Sequence, residues 1–206
     1  MKVGILGAGN VGQSLAAGFV QRGHAVQIGT RRPQGRQVRA GTPVSYDAAA
    51  RHAELALLCT PWDGTENAIR LAGPDHLAGK VLIDVTNPLE APEGRPRLAV
   101  GHRESGGERV QGWLPRSHVV KCFNIINHAH MVDPAFPDGR PDMFLCGNDA
   151  DAKRAVTNIC HAFGWLSVID VGGIEGARLL EPLAMLWIEC GIRWGSWDHA
   201  WRVLRK

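Results

Sequence analysis

The first 46 residues contain neither aspartate nor glutamate. Six lysines and arginines lie in the same stretch, whereas the whole chain has a formal net charge of only +3. Any binding site built from these residues is therefore without a carboxylate side chain. The basic residues surround one turn instead of forming a long stripe, so nucleic acid is not an expected partner.

Paired cysteine motifs and long apolar runs are also absent. The five cysteines include no C-x-x-C spacing and are odd in number, which favours reduced thiols and a cytoplasmic protein. Glycines and polar residues interrupt the first apolar run, so it does not follow the plan of a signal peptide. Residues 182–188 form the most hydrophobic late segment, far shorter than the ~20 residues that span a bilayer. We therefore expect no membrane partner.

A glycine-rich turn follows the first predicted strand. Residues 7–12 read Gly-Ala-Gly-Asn-Val-Gly and match the dinucleotide-binding fingerprint. An apolar run over 2–6 predicts the strand before the turn, and apolar spacing over 10–22 predicts the helix after it. This context favours a dinucleotide site over a turn that is merely rich in glycine.

Each glycine of the turn has an expected role. Gly7 would permit the tight turn, Gly9 the close approach of a pyrophosphate, and Gly12 the close packing of the helix. The phosphates would then face the helix N-terminus, with its unpaired N–H groups and positive dipole end.

Thr30, Arg31 and Arg32 follow the second predicted strand, over 25–28. An NAD site would place an aspartate or glutamate here to hold the ribose 2′-hydroxyl. A carboxylate would repel a 2′-phosphate, whereas two guanidiniums can bind it through charge-assisted hydrogen bonds. The sequence thus predicts NADP(H) as the cofactor, with a solvated basic loop as the alternative.

Strand-like and helix-like segments alternate along the rest of the chain. Further strands are predicted over 43–45, 55–59, 80–85, 118–123, 142–146 and 166–170, and helices over 47–52, 63–72, 105–114 and 149–163. Loops are predicted over 90–104 and 133–141. This alternation predicts an α/β fold, a Rossmann-type doubly wound parallel sheet with a small C-terminal helical extension. We expect an NADP-binding domain over 1–171 and a purely helical segment over 172–206.

Ligands of such sheets bind outside the carboxyl ends of the strands. Asn87 and Pro88 follow one buried strand, and Asn124 follows another. Asn87-Pro88 is expected to form a tight turn, in a usual or an unusual peptide geometry, that offers backbone groups to the nicotinamide amide. An ordinary loop start is the alternative.

No acid–base dyad stands out at these strand ends. Hydride transfer to a flavin-like ring needs mainly proximity and alignment of two rings. A ketone or imine substrate would need a proton donor, for which Lys121, Asn124, His128 and His130 are weak candidates beside the alternative of solvated side chains. No metal site is expected at His128 and His130, because no third ligand follows at a familiar spacing.

Several motifs together resemble one known family. They are Gly7-Ala-Gly-Asn-Val-Gly12, Thr30-Arg-Arg32, Thr60-Pro-Trp62, Asp84-Val-Thr-Asn-Pro-Leu89, Lys121-Cys-Phe-Asn124 and Arg178-Leu-Leu-Glu-Pro-Leu-Ala-Met-Leu-Trp-Ile188. In this order, and over nearly the whole chain, they resemble the NADP oxidoreductase, coenzyme-deazaflavin-dependent family. The resemblance implies hydride transfer between NADPH and a deazaflavin, in a Rossmann-type domain that is often dimeric.

Motif and resemblance together imply a set of cofactor-binding residues. These are Gly7, Gly9, Asn10, Val11, Gly12, Thr30, Arg31, Arg32, Thr60, Pro61, Trp62, Asn87 and Pro88. By resemblance, backbone N–H groups of Asn10 and Val11 would contact the pyrophosphate. The Thr60-Pro-Trp62 turn would line the cofactor channel, and the Asn87-Pro88 turn would approach the nicotinamide.

The C-terminal segment combines a broad apolar face with four tryptophans. Pro182 would kink its helix or begin a new one. The face either closes the domain's own core or forms a homodimer contact that also shapes the acceptor pocket. We favour the dimer, because aromatic side chains are enriched at interfaces.

Three functions remain open at this point. The first is NADPH-dependent reduction of a deazaflavin or other flavin-type acceptor, which an open hydrophobic slot beside the nicotinamide would favour. The second is reduction of a small imine, ketone or ferric complex, which a polar pocket centred on Lys121 or His128 would favour. The third is a non-enzymatic NADP(H)-binding sensor, with a nicotinamide face sealed by protein.

Overall fold

Ten strands and seven helices make up the computed structural model, which describes all residues from Met1 to Lys206. The strands are β1 Lys2–Leu6, β2 Ala25–Gly29, β3 Thr42–Val44, β4 Leu55–Leu58, β5 Val81–Asp84, β6 Leu89–Glu90, β7 Arg97–Leu98, β8 His118–Cys122, β9 Asp142–Gly147 and β10 Ser167–Asp170. The helices are α1 Asn10–Gln21, α2 Tyr46–His52, α3 Trp62–Ala72, α4 Pro74–Leu77, α5 Gly106–Trp113, α6 Ala150–Ala162 and α7 Ala177–Trp194.

Eight strands form one mostly parallel sheet, in the order β10-β9-β8-β5-β4-β1-β2-β3. Helices cover both faces, so the predicted Rossmann-type α/β fold is confirmed. One apolar core packs α1 and α6 against the sheet and includes Phe19, Phe163 and Trp165. The other core, on the opposite face, includes Leu77 and Val110 from the helices of that side.

Strand β9 departs from the predicted all-parallel sheet. It runs antiparallel to β8, with Val120 opposite Gly147 and Cys122 opposite Leu145. A parallel partner needs a crossover connection, usually a helix. The chain from β8 to β9 contains only a 3₁₀ turn, His128–His130, and a proline-containing loop. β9 therefore begins at the edge where β8 ends.

The loop predicted over 90–104 contains a short hairpin of β6 and β7. The Ala99 N–H donates to the Pro88 carbonyl oxygen at 2.7 Å, which joins the hairpin to the Asn87-Pro88 turn. All peptide bonds are trans, so that turn has the usual peptide geometry.

The C-terminal part is helical only to Trp194, contrary to the expectation of helix throughout. Helix α7 runs through Pro182, so no new helix begins there. Gly195 adopts a left-handed conformation that ends the helix. The remaining tail crosses the start of β9, where the Asp142 N–H donates to the Trp201 carbonyl oxygen at 2.9 Å. None of the helices combines the length and apolar character needed to cross a membrane.

Candidate functional site

The glycine turn between β1 and α1 has the geometry that its three glycines predict. Gly7 has a φ of +128°, and a Cβ added there would lie 2.3 Å from the Cys59 carbonyl oxygen. A Cβ at Gly12 would lie 2.0 Å from the Gly7 carbonyl oxygen. Nothing lies within 4 Å of a Cβ built on Gly9. The turn is thus packed at Gly7 and Gly12 and open at Gly9.

The N-terminus of α1 is suited to an anion. Gly9 is its N-cap and provides no capping side chain, and the first turn contains no acidic residue. The first N–H groups of the helix, from Asn10, Val11 and Gly12, have no partners within it. Together with the positive dipole end, these groups can bind a phosphate beside the open face of Gly9.

A basic cavity of about 410 Å³ lies where β2 ends. Its lining residues are Thr30, Arg31, Arg32 and Arg36. The structure thus brings the three predicted residues together around one cavity that contains no carboxylate. Three guanidiniums can bind a phosphate dianion through charge-assisted hydrogen bonds.

Arg36 is a functional candidate that sequence reasoning missed, because it lies in a segment predicted only as polar loop. A turn closes at this residue, with the Arg36 N–H donating to the Pro33 carbonyl oxygen at 3.1 Å. Gly35 in the turn has a φ of +70°, which favours glycine. The turn carries the Arg36 guanidinium to the glycine turn, where Nη2 donates to the Ala8 carbonyl oxygen at 2.9 Å.

A second cavity, of about 340 Å³, adjoins Arg31. Thr60 and Pro61 are among its lining residues. Trp62 does not line this cavity; it stacks on Trp113 with ring centroids 5.7 Å apart. Its ring instead lies beside Gly106, where an added Cβ would be 3.1 Å from the indole.

Asn87 and Asn124 bind each other across the ends of β5 and β8. Asn124 Nδ2 donates to Asn87 Oδ1 at 3.0 Å, and Asn87 Nδ2 donates to the Asn124 carbonyl oxygen at 2.8 Å. Asn124 Nδ2 also donates to the Leu180 carbonyl oxygen of α7 at 3.0 Å. The preceding residue, Phe123, is buried with a φ of +64°, a strained conformation for a bulky side chain. Asn124 thus joins two strand ends to α7.

Lys121 is completely buried. Its Nζ donates to Asp84 Oδ2 at 2.9 Å and to the Thr86 carbonyl oxygen at 2.6 Å, and lies 2.9 Å from Glu181 Oε1. Burial by itself lowers the pKa of Lys121, but the charges and hydrogen bonds of Asp84 and Glu181 outweigh it and leave that pKa raised. The ammonium group is therefore held in two ion pairs.

Glu181 brings α7 and α5 together. Its carboxylate accepts hydrogen bonds from the backbone N–H groups of Gly106 and Gly107, each at 2.9 Å. These are the first residues of α5, where a negative charge is favourable. We define Lys121, Asp84 and Glu181 as the buried charged cluster. The sequence did not lead us to Asp84 and Glu181 as members of this cluster. A charged side chain within an apolar segment is nevertheless a signal for a buried charged cluster.

The two histidines after β8 have different partners. His128 Nδ1 lies 3.2 Å from Ser14 Oγ of α1. Burial, Arg39 and His130 lower the pKa of His128. His130 Nε2 lies 2.9 Å from Asp198 Oδ1 of the C-terminal tail. The pair therefore does not converge on a common ligand.

An apolar-walled cavity of about 650 Å³ lies between α7 and the hairpin region. Its walls include Leu98, Leu179 and Pro182, with His102 and Arg178 at its polar parts. The hairpin is joined to Pro88 through Ala99, so this cavity belongs to the same end of the sheet as the Asn87-Pro88 turn.

Comparison with known proteins gives consistent matches. The model of a family described as NADP oxidoreductase coenzyme F420-dependent matches residues 2–88. The chain is 31% identical over 150 residues to the F420-dependent NADP reductase of Methanocaldococcus jannaschii, covering 72% of this chain and 66% of that protein. A crystal structure of a candidate F420-dependent NADP reductase from Arthrobacter sp. FB24 has a TM-score of 0.95 and 34% identity, covering 100% of both chains.

Another relative is named for the reduction of metals. The chain is 33% identical over 190 residues to the metalloreductase STEAP3 of Rattus norvegicus. This match covers 90% of the chain but only 37% of STEAP3, so the chain spans little more than a third of that relative.

Proposed function

Since the chain belongs to the coenzyme F420-dependent NADP oxidoreductase family, we propose that it transfers a hydride between NADPH and a deazaflavin or other flavin-type acceptor. The observation that carries the proposal is the basic cavity of Thr30, Arg31, Arg32 and Arg36 beside the open glycine turn. The cavity and the turn together suit a dinucleotide with a 2′-phosphate. The cavity offers guanidinium donors to the 2′-phosphate, and the turn offers backbone N–H donors to the pyrophosphate.

Two places support the binding of NADP(H): the basic cavity and the open face of the glycine turn. The 2′-phosphate would bind the basic cavity, and the pyrophosphate would bind the N–H groups of Asn10 and Val11 at the face left open by Gly9. Thr60 and Pro61 would line the neighbouring part of the channel. Asn87 and Pro88 would hold the nicotinamide end.

NADPH, when bound, supplies a hydride with two electrons from its dihydronicotinamide to the acceptor ring, and a solvent proton completes the reduced acceptor. The protein's task is then to align two rings and exclude water. Asn87 and Asn124 serve this by fixing the ends of β5 and β8 against each other and against α7. Lys121 does not serve as the proton donor in this proposal, because its ion pairs enclose it.

The acceptor would bind in the apolar-walled cavity between α7 and the hairpin region. Leu98, Leu179 and Pro182 offer apolar surface for a flavin-type ring, while Arg178, which is paired with Glu108, and Glu175 form polar parts of the wall. In this arrangement residues 172–206 form the part of the molecule that closes the acceptor pocket on the NADP-binding part, 1–171.

A homodimer through α7 is part of the proposal. Leu179 and Leu186, seven residues apart on one face of this helix, are exposed to 66% and 52%. Exposed large apolar side chains on one helix face are typical of an interface. A cytoplasmic location is also proposed, because all five cysteines are free.

Similarity to the metalloreductase STEAP3 supports reduction of a ferric complex as the second candidate. A hydride carries two electrons, whereas a ferric ion accepts one. A flavin-type carrier between NADPH and iron would resolve this mismatch, so both candidates place a flavin-type ring beside the nicotinamide.

A panel of acceptors tests the proposal. NADPH oxidation is followed by the loss of its near-ultraviolet absorbance with deazaflavin, FMN, a quinone, a cyclic imine and ferric chelates. Turnover that is faster with deazaflavin or FMN than with the quinone, the imine or the ferric chelates supports the proposal. Turnover of the imine or of ferric chelate alone, without a flavin-type compound, would contradict it.

A further inference from the structure

The buried charged cluster contains one cation and two carboxylates. Lys121 and Asp84 have no exposed surface, and Glu181 is 1% exposed. The two ion-pair distances from Lys121 Nζ are equal, at 2.9 Å. If both carboxyl groups are ionised, the cluster has a net charge of −1 in a region that is closed to solvent at its surface.

The hydrogen bonds of the cluster suit two ionised carboxyl groups. Asp84 Oδ1 accepts from the N–H and the hydroxyl of Thr86, and Oδ2 accepts from Lys121. The two oxygens of Glu181 accept from Gly106 and Gly107, and Lys121 lies against one of them. Every carboxyl oxygen thus has at least one donor, as an ionised carboxylate needs when it is buried.

The cluster lies directly beneath the Asn87-Pro88 turn. Lys121 donates to the carbonyl oxygen of Thr86, the residue before Asn87. At Gly106, a built Cβ would lie 3.0 Å from Glu181 Oε1 and 3.2 Å from Pro88 Cδ. The absence of a side chain at Gly106 therefore lets the carboxylate and the proline ring approach each other.

We propose that the negative charge of this cluster favours the oxidised, cationic nicotinamide over the reduced, neutral ring. The inference rests on the proposed function, because that function puts the nicotinamide at the Asn87-Pro88 turn. A buried charge acts over a longer range than an exposed one, since neither water nor salt screens it fully. The N-terminal dipole of α5 offsets only part of it.

This preference acts on the bound cofactor. Binding that is tighter for NADP⁺ than for NADPH lowers the reduction potential of the bound cofactor and so favours hydride loss while it is on the enzyme. The overall equilibrium in solution is unchanged by it. A cluster with only a structural role, joining α5 and α7 to the sheet, would leave the affinity ratio of the two redox forms unchanged.

The test measures dissociation constants of NADP⁺ and NADPH by quenching of tryptophan fluorescence, without an acceptor. The wild-type protein is expected to bind NADP⁺ at least as tightly as NADPH. Glu181→Gln and Asp84→Asn each remove one negative charge and should shift the ratio toward NADPH by roughly tenfold, the order expected for one unit charge partly screened by protein. Thr86→Val is the matched control, because it removes a hydrogen bond to Asp84 without changing the charge.

Each outcome decides the inference. An unchanged ratio in both charge variants, or the same shift in Thr86→Val, would overturn it while leaving the proposed function intact. If neither charge variant folds, as judged by circular dichroism, the wild-type ratio decides: tenfold tighter binding of NADPH than of NADP⁺ contradicts the inference. Failure of the wild type to bind either form would instead contradict the proposed function itself.

Discussion

Arg36 and Ala8 connect two parts of the site that are far apart in the chain. The Arg36 guanidinium lines the basic cavity and donates a hydrogen bond from Nη2 to the Ala8 carbonyl oxygen in the glycine turn. In the proposed binding mode, a cation at this junction lies between the 2′-phosphate and the pyrophosphate. Arg36 would thus extend the proposed cofactor site beyond Thr30, Arg31 and Arg32.

Replacement of Arg36 tests this position. Arg36→Ala should weaken NADPH binding by about tenfold or more, because hydrogen bonds to charged groups contribute about 1.5 to 3 kcal/mol. Arg36→Lys should restore only part of the affinity, since an ammonium lacks the planar fork of a guanidinium. Titration calorimetry measures the effect, with Arg154→Ala on α6 as the control arginine. Wild-type affinity in Arg36→Ala would contradict this role.

Two glycines of the turn should respond differently to alanine. Gly9→Ala places its methyl group in open space, so the melting temperature should stay near that of the wild type while NADPH affinity falls. Gly12→Ala places its methyl group 2.0 Å from the Gly7 carbonyl oxygen and should destabilise the fold. Thermal melts and NADPH titrations of both variants make the comparison. Full NADPH affinity in Gly9→Ala would contradict a pyrophosphate at this face.

The glycine turn and the cavity residues after β2 could be predicted from the sequence because local backbone chemistry determines them. Gly7, Gly9 and Gly12 act through contacts within one turn and its immediate neighbours. The direction of β9 could not be predicted from its own residues, since it depends on the absence of a helix in the preceding connection. The partners of Lys121 also could not be predicted from the sequence, because Glu181 approaches it from a helix 60 residues further along the chain.

The tail gives a second example of this limit. Its tryptophans resemble a continued apolar helix face in the sequence. In the structure, Gly195 ends α7, and Trp197 folds back to lie 5.4 Å from Trp187, centroid to centroid. The local spacing of apolar residues therefore predicted a helix. In the structure, aromatic rings of the tail pack against α7 and the tail has no regular secondary structure.

Lys121 should make stability depend on alkaline pH. Its raised pKa in the folded state means that its contribution is complete below the ordinary value of 10.5 and is lost as pH rises through the folded-state pKa. Lys121→Met should reduce the free energy of unfolding at pH 7 by about 3 to 5 kcal/mol, because it leaves two buried carboxylates unpaired. Urea denaturation at pH 7 and above pH 10.5 measures both effects. If the free energy of unfolding falls equally with alkaline pH in wild type and Lys121→Met, Lys121 is not the group responsible.

The exposed face of α7 should control self-association. Leu186→Glu introduces a charge into the proposed interface and should shift a dimer to monomer in analytical ultracentrifugation. Leu166→Glu is the matched control, because Leu166 is also exposed, at 70%, but precedes β10 and is not part of α7. A dimer that persists in Leu186→Glu, or a wild-type monomer, would contradict an interface on this face.

Cofactor discrimination is the most direct test of the whole account. NADPH and NADH are titrated against the wild type and against Arg31→Ala/Arg32→Ala, with tryptophan fluorescence as the signal. The basic cavity predicts that the wild type binds NADPH at least tenfold more tightly than NADH, and that the double variant loses most of this preference while its NADH affinity changes little. Equal affinities of the wild type for the two cofactors, or an undiminished preference in the double variant, would contradict the account.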